Sequence, residues 1–124
     1  MLVDTSAWIE YFKATEKGKR IVSLLQEGRA LYTCPLTIAE LTHWCLKNNK
    51  DPLPFIQKVM SFSRLLDLTV DILVVSAKIC YKERIKNDKI GMIDCIIYAS
   101  ALAHNLPLLT TDQDFSGLSG VEFL

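Results

Sequence analysis

The sequence predicts an α/β protein with a mostly parallel sheet covered by helices on both faces. Three observations carry that prediction. Short apolar runs alternate along the chain with longer segments of helical periodicity, the pattern of parallel strands joined by helical crossovers. Half of the 124 residues are apolar, enough for a core that helices and strands must share. Asp4 and Asp112 each stand just past an apolar run, where ligand sites gather beyond the carboxyl ends of strands.

Taken in order, Met1-Leu2-Val3 reads as a buried strand closing on Asp4-Thr5-Ser6, whose side chains suit a helix N-cap. A helix over Ala7–Lys13 carries Trp8, Tyr11 and Phe12 at i, i+3 and i+4. A second spans about Thr15–Gln26 and stops at Gly28. Ala30–Cys34 is the next strand, and Pro35 opens a helix through Lys47 with Ile38, Leu41, Trp44 and Cys45 on one face. Asn48–Asp51 is a polar break, and Pro52 and Pro54 start a helix that runs to about Leu66. Leu66–Thr69 is a brief strand candidate. Val70–Lys86 is helical, apolar at its start and basic at its end. After the loop Asn87–Lys89 comes a very apolar helix from Gly91 to His104, then a strand at Leu106–Leu109. A Gly-Ser-rich turn at Ser116–Gly120 leads to a last strand, Val121–Leu124.

Length alone favours one domain over residues 1–124. The formal net charge is zero, so bulk charge gives no sign of a nucleic-acid partner, although a local basic strip is compatible with it. Cys34, Cys45, Cys80 and Cys95 have no paired spacing and sit in apolar segments, as buried free thiols do. Asp4 interrupts the apolar start, no cleavage pattern follows, and no apolar run approaches the ~18 residues of a membrane span; the expectation is a soluble cytoplasmic protein.

The most informative stretch is GMIDCIIYASALAHNLPLLTTDQDF, Gly91–Phe115. Asp94 is its only charged residue before His104, and no Lys or Arg lies one helical turn away. Desolvating a lone carboxylate there costs several kcal/mol unless something compensates it, and neither a cap nor a turn accounts for an acid in mid-pattern. A cation is the economical compensation. Glu40, in the first turns of the helix opened by Pro35, points toward the same sheet edge. The candidate set is therefore Asp4, Glu40, Asp94 and Asp112, with Asp114 as a fifth. Singly, Asp4 is also a cap, Glu40 a first-turn carboxylate favoured by the helix dipole, and Asp112 and Asp114 turn formers. Carboxylates without His or Cys partners suit Mg²⁺ or Mn²⁺, ions usually completed by phosphate oxygens, and this points to phosphodiester chemistry.

At these residues the chain resembles the PIN-domain ribonucleases, and among them the VapC-type toxins of toxin–antitoxin pairs. The matching blocks are LVDTSAWIEYF, PLTIAEL and GMIDCIIYASALAHNLPLLTTDQDF, in the family's order. The resemblance implies a three-layer α/β/α fold and Mg²⁺- or Mn²⁺-dependent cleavage of RNA. It implies an acidic site at Asp4, Glu40, Asp94 and Asp112, with Asp114 at a position that is less consistently a ligand. Ser6 matches a hydroxyl that supports the first Asp, and Thr110 or Thr111 the polar residue ahead of the last one. A small antitoxin protein and a homodimer are the implied partners.

Other residues carry less. His43 and His104 stand outside the acidic set, at a core edge and a helix C-terminus. The basic strip Lys78, Lys82, Arg84, Lys86 and Lys89 is either a solvated helix face or a hold for RNA phosphates. Trp8, Tyr11 and Phe12 suit core packing, or a groove for a partner helix. Two other classes compete. A phospho-receiver domain expects an Asp pair near the first strand and a Lys beyond a late strand, and the sequence has neither. A catalytically silent binding module and an RNA-processing nuclease without a toxin role both stay open.

Overall fold

Five strands, β1 (Leu2–Val3), β2 (Tyr32–Thr33), β3 (Arg64–Leu65), β4 (Leu108–Thr110) and β5 (Val121–Phe123), pair into one sheet in the computed structural model, which describes residues 1–124. All four pairings are parallel, in the spatial order β3-β2-β1-β4-β5. Parallel neighbours need long crossovers, and helices supply them. The helices α1 (Thr5–Phe12) and α2 (Lys19–Gln26) join β1 to β2. Next, α3 (Pro35–Lys47) and α4 (Pro52–Phe62) join β2 to β3, and α5 (Val70–Glu83) and α6 (Met92–Ala103) return the chain to β4. One turn of 3-10 helix at Gln113–Phe115 lies between β4 and β5. The strand order reverses between β1 and β4, which is where a ligand crevice opens in sheets of this kind.

The register explains why the two central strands are apolar where they pair. Leu2 pairs with Leu108 and Val3 with Leu109, and all four are fully buried. Leu2 and Leu108 pack with Ile97, Tyr98, Ala101 and Phe115 on one face. Val3 and Leu109 pack with Trp8, Ile21, Leu41 and Val59 on the other. Each such side chain contributes about 1.5–3 kcal/mol of burial, and successive residues serve opposite cores. The result is the expected three-layer α/β/α arrangement.

Local chemistry sets the helix ends. Pro35 and Pro52 occupy first-turn positions, Asp51 accepts the Leu53 amide at 3.1 Å, and Thr69 accepts that of Ile72 at 3.3 Å. The aromatic stripe of α1 is core on one side. Trp8 is fully buried and donates its indole proton to Thr33, while Tyr11 and Phe12 meet Phe62 and Phe55 edge-on.

Several boundaries depart from the expected ones. The third strand is Arg64–Leu65, not Leu66–Thr69, and α4 ends at Phe62. Ser63 is extended, returns its hydroxyl to the Val59 carbonyl, and lies 2.7 Å from the Thr33 hydroxyl, so pairing with β2 starts at once. An edge strand with both residues exposed has no apolar signature to read. The second helix begins at Lys19 because Thr15 folds back onto Glu10 and receives the Gly18 amide. A Cβ at Gly18 would meet the Glu10 carbonyl carbon at 2.6 Å, so only glycine permits this approach. His43 is exposed rather than at a core edge, and His104 sits at the α6 C-cap with Nδ1 2.9 Å from the Ser100 carbonyl. All four cysteines are buried and free, and burial beside Cys80 pushes the Cys95 thiol up to about 12. No helix is long and apolar enough to cross a membrane.

Candidate active site

Asp4 directly follows β1 and stands at the switch point, 4% exposed. Its carboxylate caps no amide of α1; it faces across to β4 instead. Ser6 donates to Oδ2 at 2.8 Å and Thr110 donates to the same oxygen at 2.7 Å. Each hydroxyl has one proton, so both are spent on Asp4, and the two hydroxyl oxygens, 3.0 Å apart, are left as acceptors. Ser6 accordingly accepts the Thr111 amide, and Thr110 accepts the Asp112 amide, both at 3.0 Å. This network ties the ends of β1 and β4 together and leaves Oδ1 of Asp4 without a hydroxyl partner.

Glu40 lies on α3 and is half-buried. Its Oε1 accepts the Thr5 hydroxyl at 2.6 Å, and Thr37 lies 3.1 Å from the same hydroxyl. The single Thr5 proton goes to the nearer, charged acceptor. Glu40 is thereby held against the first turn of α1.

Asp94, Asp112 and Asp114 converge from the other side. One carboxylate oxygen of each lies within 4.8 Å of the other two, and all three residues are half-buried. The structure corrects the expectation that no cap explains Asp94. α6 starts at Met92, so Asp94 is in its first turn, and its Oδ2 accepts the Gly91 amide at 3.0 Å. Met92 and Ile93 beside it are exposed, so the local desolvation is milder than the apolar run suggests. Asp112 Oδ1 accepts the Asp114 amide at 2.9 Å, and Asp114 Oδ1 accepts from the Asn87 side chain at 3.3 Å.

No cation answers this charge. The two ion pairs of the molecule, Lys19–Glu16 and Arg20–Glu122, lie outside the acidic set. Burial raises the Asp4 carboxyl above the ordinary range, the Thr110 and Ser6 hydrogen bonds oppose that, and the charge of Asp112 adds to it. Burial likewise raises Glu40 against the Thr5 hydrogen bond, and the charges of Asp4, Asp94 and Asp112 push the same way. Asp94 is raised by burial first, then by Asp112, Asp4 and Asp114, against the Gly91 hydrogen bond. At 4.8 Å and an effective dielectric of ~20, each pair of charges repels by about 3–4 kcal/mol before solvent screening. Oxygen-only donors with free lone pairs and uncompensated charge fit a hard divalent cation.

Sequence reasoning missed three contributors. Thr5 was visible only as a possible cap, and Thr37 and Asn87 gave no signal at all. Between Thr110 and Thr111, it is Thr110 whose hydroxyl reaches Asp4, while Thr111 supplies an amide.

The fold and the donor set define a three-layer α/β/α protein with a carboxylate centre at its switch point. The chain belongs to the PIN domain family, which it matches over residues 1–121. It is 34% identical to "Ribonuclease VapC" of Rickettsia bellii and 30% identical to "Ribonuclease VapC1" of Rickettsia felis. Both alignments cover all of this chain and 94% of the relative. Among solved structures it is similar in fold to VapBC2 from Rickettsia felis bound to a promoter DNA fragment, with a TM-score of 0.80 and 18% identity. That match covers 99% of this chain and 97% of the other. A toxin–antitoxin complex from Klebsiella pneumoniae matches with a TM-score of 0.73 and 24% identity, over 98% of this chain and 94% of the other.

Proposed function

We propose that this chain is a metal-dependent endoribonuclease and the toxin of a toxin–antitoxin pair, acting in the cytoplasm. The observation that carries the reading is the convergence of Asp94, Asp112 and Asp114 beside Asp4 and Glu40 with no protein cation among them. The ribonuclease names of both relatives and the toxin–antitoxin titles of the similar structures support it.

On this reading Asp94, Asp112 and Asp114 hold Mg²⁺ or Mn²⁺, with Asp4 Oδ1 and Glu40 completing the acidic wall. When bound, such an ion supplies Lewis acidity toward a phosphodiester and acidifies a water. The chain does the rest by positioning. Ser6 and Thr110 fix Asp4, Thr5 fixes Glu40, and the Gly91 amide fixes Asp94. Lys89, exposed in the turn before α6, is a candidate hold for the RNA backbone.

Two partner surfaces accompany the reading. A groove of about 340 Å³ lined by Tyr11, Phe12, Val22 and Lys58 suits an apolar segment of the antitoxin. The outer face of α5 leaves Val70 and, with the turn after it, Tyr81 and Ile85 about three-quarters exposed or more, which favours a homodimer. Sedimentation at micromolar concentration is expected to give a dimer, and a monomer there overturns that element.

The test of the activity is direct. Purified protein is expected to cut single-stranded RNA with Mg²⁺ or Mn²⁺ and to stop on adding EDTA. Cutting that survives exhaustive chelation overturns the metal assignment, and no cutting with any divalent ion overturns the nuclease.

A further inference from the structure

A second cavity, of about 390 Å³, adjoins the acidic centre, and Asp114 belongs to both. Its volume is at the low end of the ~300–1,000 Å³ typical of small-ligand sites, which suits one planar base better than a larger group. Its lining combines the apolar Ile90 and Leu118 with the polar side chains of Glu83, Lys86, Asn87, Gln113 and Ser116 beside Asp114.

Some of these groups are already committed. The Asn87 amide donates to Asp114 at 3.3 Å while its carbonyl oxygen accepts the Lys89 amide at 3.0 Å. That double use ties the turn between α5 and α6 to the acidic centre and sets the cavity at a fixed offset from it. Ser116 donates to Oε1 of Gln113 at 3.1 Å, which leaves Nε2 of Gln113 as a free two-proton donor. Lys86 and Glu83 take part in no ion pair. The cavity thus presents donors from Gln113 and Lys86 and an acceptor-only carboxylate from Glu83.

We propose that this cavity is a base-recognition pocket for a guanine next to the scissile phosphate of single-stranded RNA. The proposal rests on the ribonuclease reading above and deepens it. Guanine carries the acceptors O6 and N7 for Lys86 and Gln113, and the donors N1–H and N2–H₂ for Glu83. Adenine and cytosine place an amino group where guanine has O6, opposite the lysine. Uracil lacks the paired donors that a carboxylate accepts. Sequence readout in RNA uses such splayed single-stranded bases, whose edges a cavity of this size can enclose.

The test has two arms. In the first, wild-type protein with Mn²⁺ cuts a randomised single-stranded RNA pool and the fragment ends are sequenced. Guanine is expected to be enriched at one position beside the cut. Gln113→Leu and Glu83→Ala are each expected to reduce that enrichment about tenfold, and Ser116→Ala less. The Mn²⁺-induced rise in melting temperature should stay as in the wild type, showing an intact acidic centre. Cutting without base preference, or a guanine preference that both variants keep, overturns the pocket and leaves the nuclease standing. In the second arm, guanosine is titrated into metal-free protein and side-chain amide resonances are followed. Those of Gln113 should move with guanosine and not with adenosine, cytidine or uridine, and a wild type without this selectivity overturns the pocket. If the wild type cuts no RNA, the nuclease reading falls and the guanosine titration alone decides the pocket.

Discussion

Asp4 and Glu40 reach the crevice held by side-chain hydroxyls, whereas Asp94 and Asp112 are held by single backbone amides and Asp114 by the side chain of Asn87. For Asp4 the difference follows burial, whereas Glu40 is half-buried like the other three acids. Water hardly reaches Asp4, so its donors must be built into the protein, and Ser6 and Thr110 supply them. The other three acids are half-exposed and crowded, and solvent or a cation can answer their charge. Asp4 is therefore part of the fold, and the three crowded acids hold repulsion that a bound cation would relieve.

Breaking the buried side should have the largest effect. Asp4→Ala strands two hydroxyl donors and is expected to lower stability by about 1–3 kcal/mol. It should also reduce RNA cleavage at least about a thousandfold, roughly 4 kcal/mol of barrier. Chemical denaturation and a cleavage assay check both, and an Asp4→Ala protein as stable as the wild type would remove the contrast.

The open side should respond with the opposite sign. Asp94→Asn keeps an acceptor for the Gly91 amide but removes one of the crowded charges, so in EDTA the variant is expected to be about 1 kcal/mol more stable. Its gain from Mn²⁺ should shrink, since the weakened centre binds the ion less tightly. Melting curves with EDTA and with Mn²⁺ decide it. A variant that melts lower in EDTA yet gains as much from Mn²⁺ as the wild type would exclude Asp94 as a ligand.

Acidification should sharpen that result. The carboxyls of Asp4, Glu40 and Asp94 are all raised, mainly by burial, so the folded state binds more protons than the unfolded one. Their contribution to metal-free stability is full below the ordinary carboxylate values near ~4 and is lost as pH rises through the raised folded values. The stability difference between Asp94→Asn and the wild type in EDTA is therefore expected to be larger near pH 8 than near pH 5. A difference that does not change with pH would disconnect Asp94 from this coupling.

The smallest effect concerns Thr5. Thr5→Val removes the one hydroxyl on Glu40 and is expected to cost about 1 kcal/mol, with Thr5→Ser restoring most of it. Mn²⁺ titration of the pair should show weaker binding for the valine variant alone. Equal binding by both would make Thr5 structural only.

How much of this was legible in the sequence depends on the range of the cause. The strands β1 and β4 announce themselves because burial on both faces demands apolar residues where they pair, Leu2 and Val3 against Leu108 and Leu109. The edge strand β3 does not, because Arg64 and Leu65 are exposed and chosen by neither core. Asp94 drew notice for a partly mistaken reason. Its apolar neighbours suggested a stranded charge in mid-helix, while the helix starts two residues before it and a backbone amide meets it.

By itself the sequence determined the alternation of strands and helices, the three layers, and the positions of acids just past strand ends, because hydrophobic periodicity and chain order are local properties. Tertiary structure alone decided which distant donor serves which carboxylate. Thr110 and Asp4 are 106 residues apart, Thr5 and Glu40 35 apart, and Asn87 and Asp114 27 apart. A hydrogen bond depends on the direction of a single proton across a packed interface, and nothing in local composition records that direction.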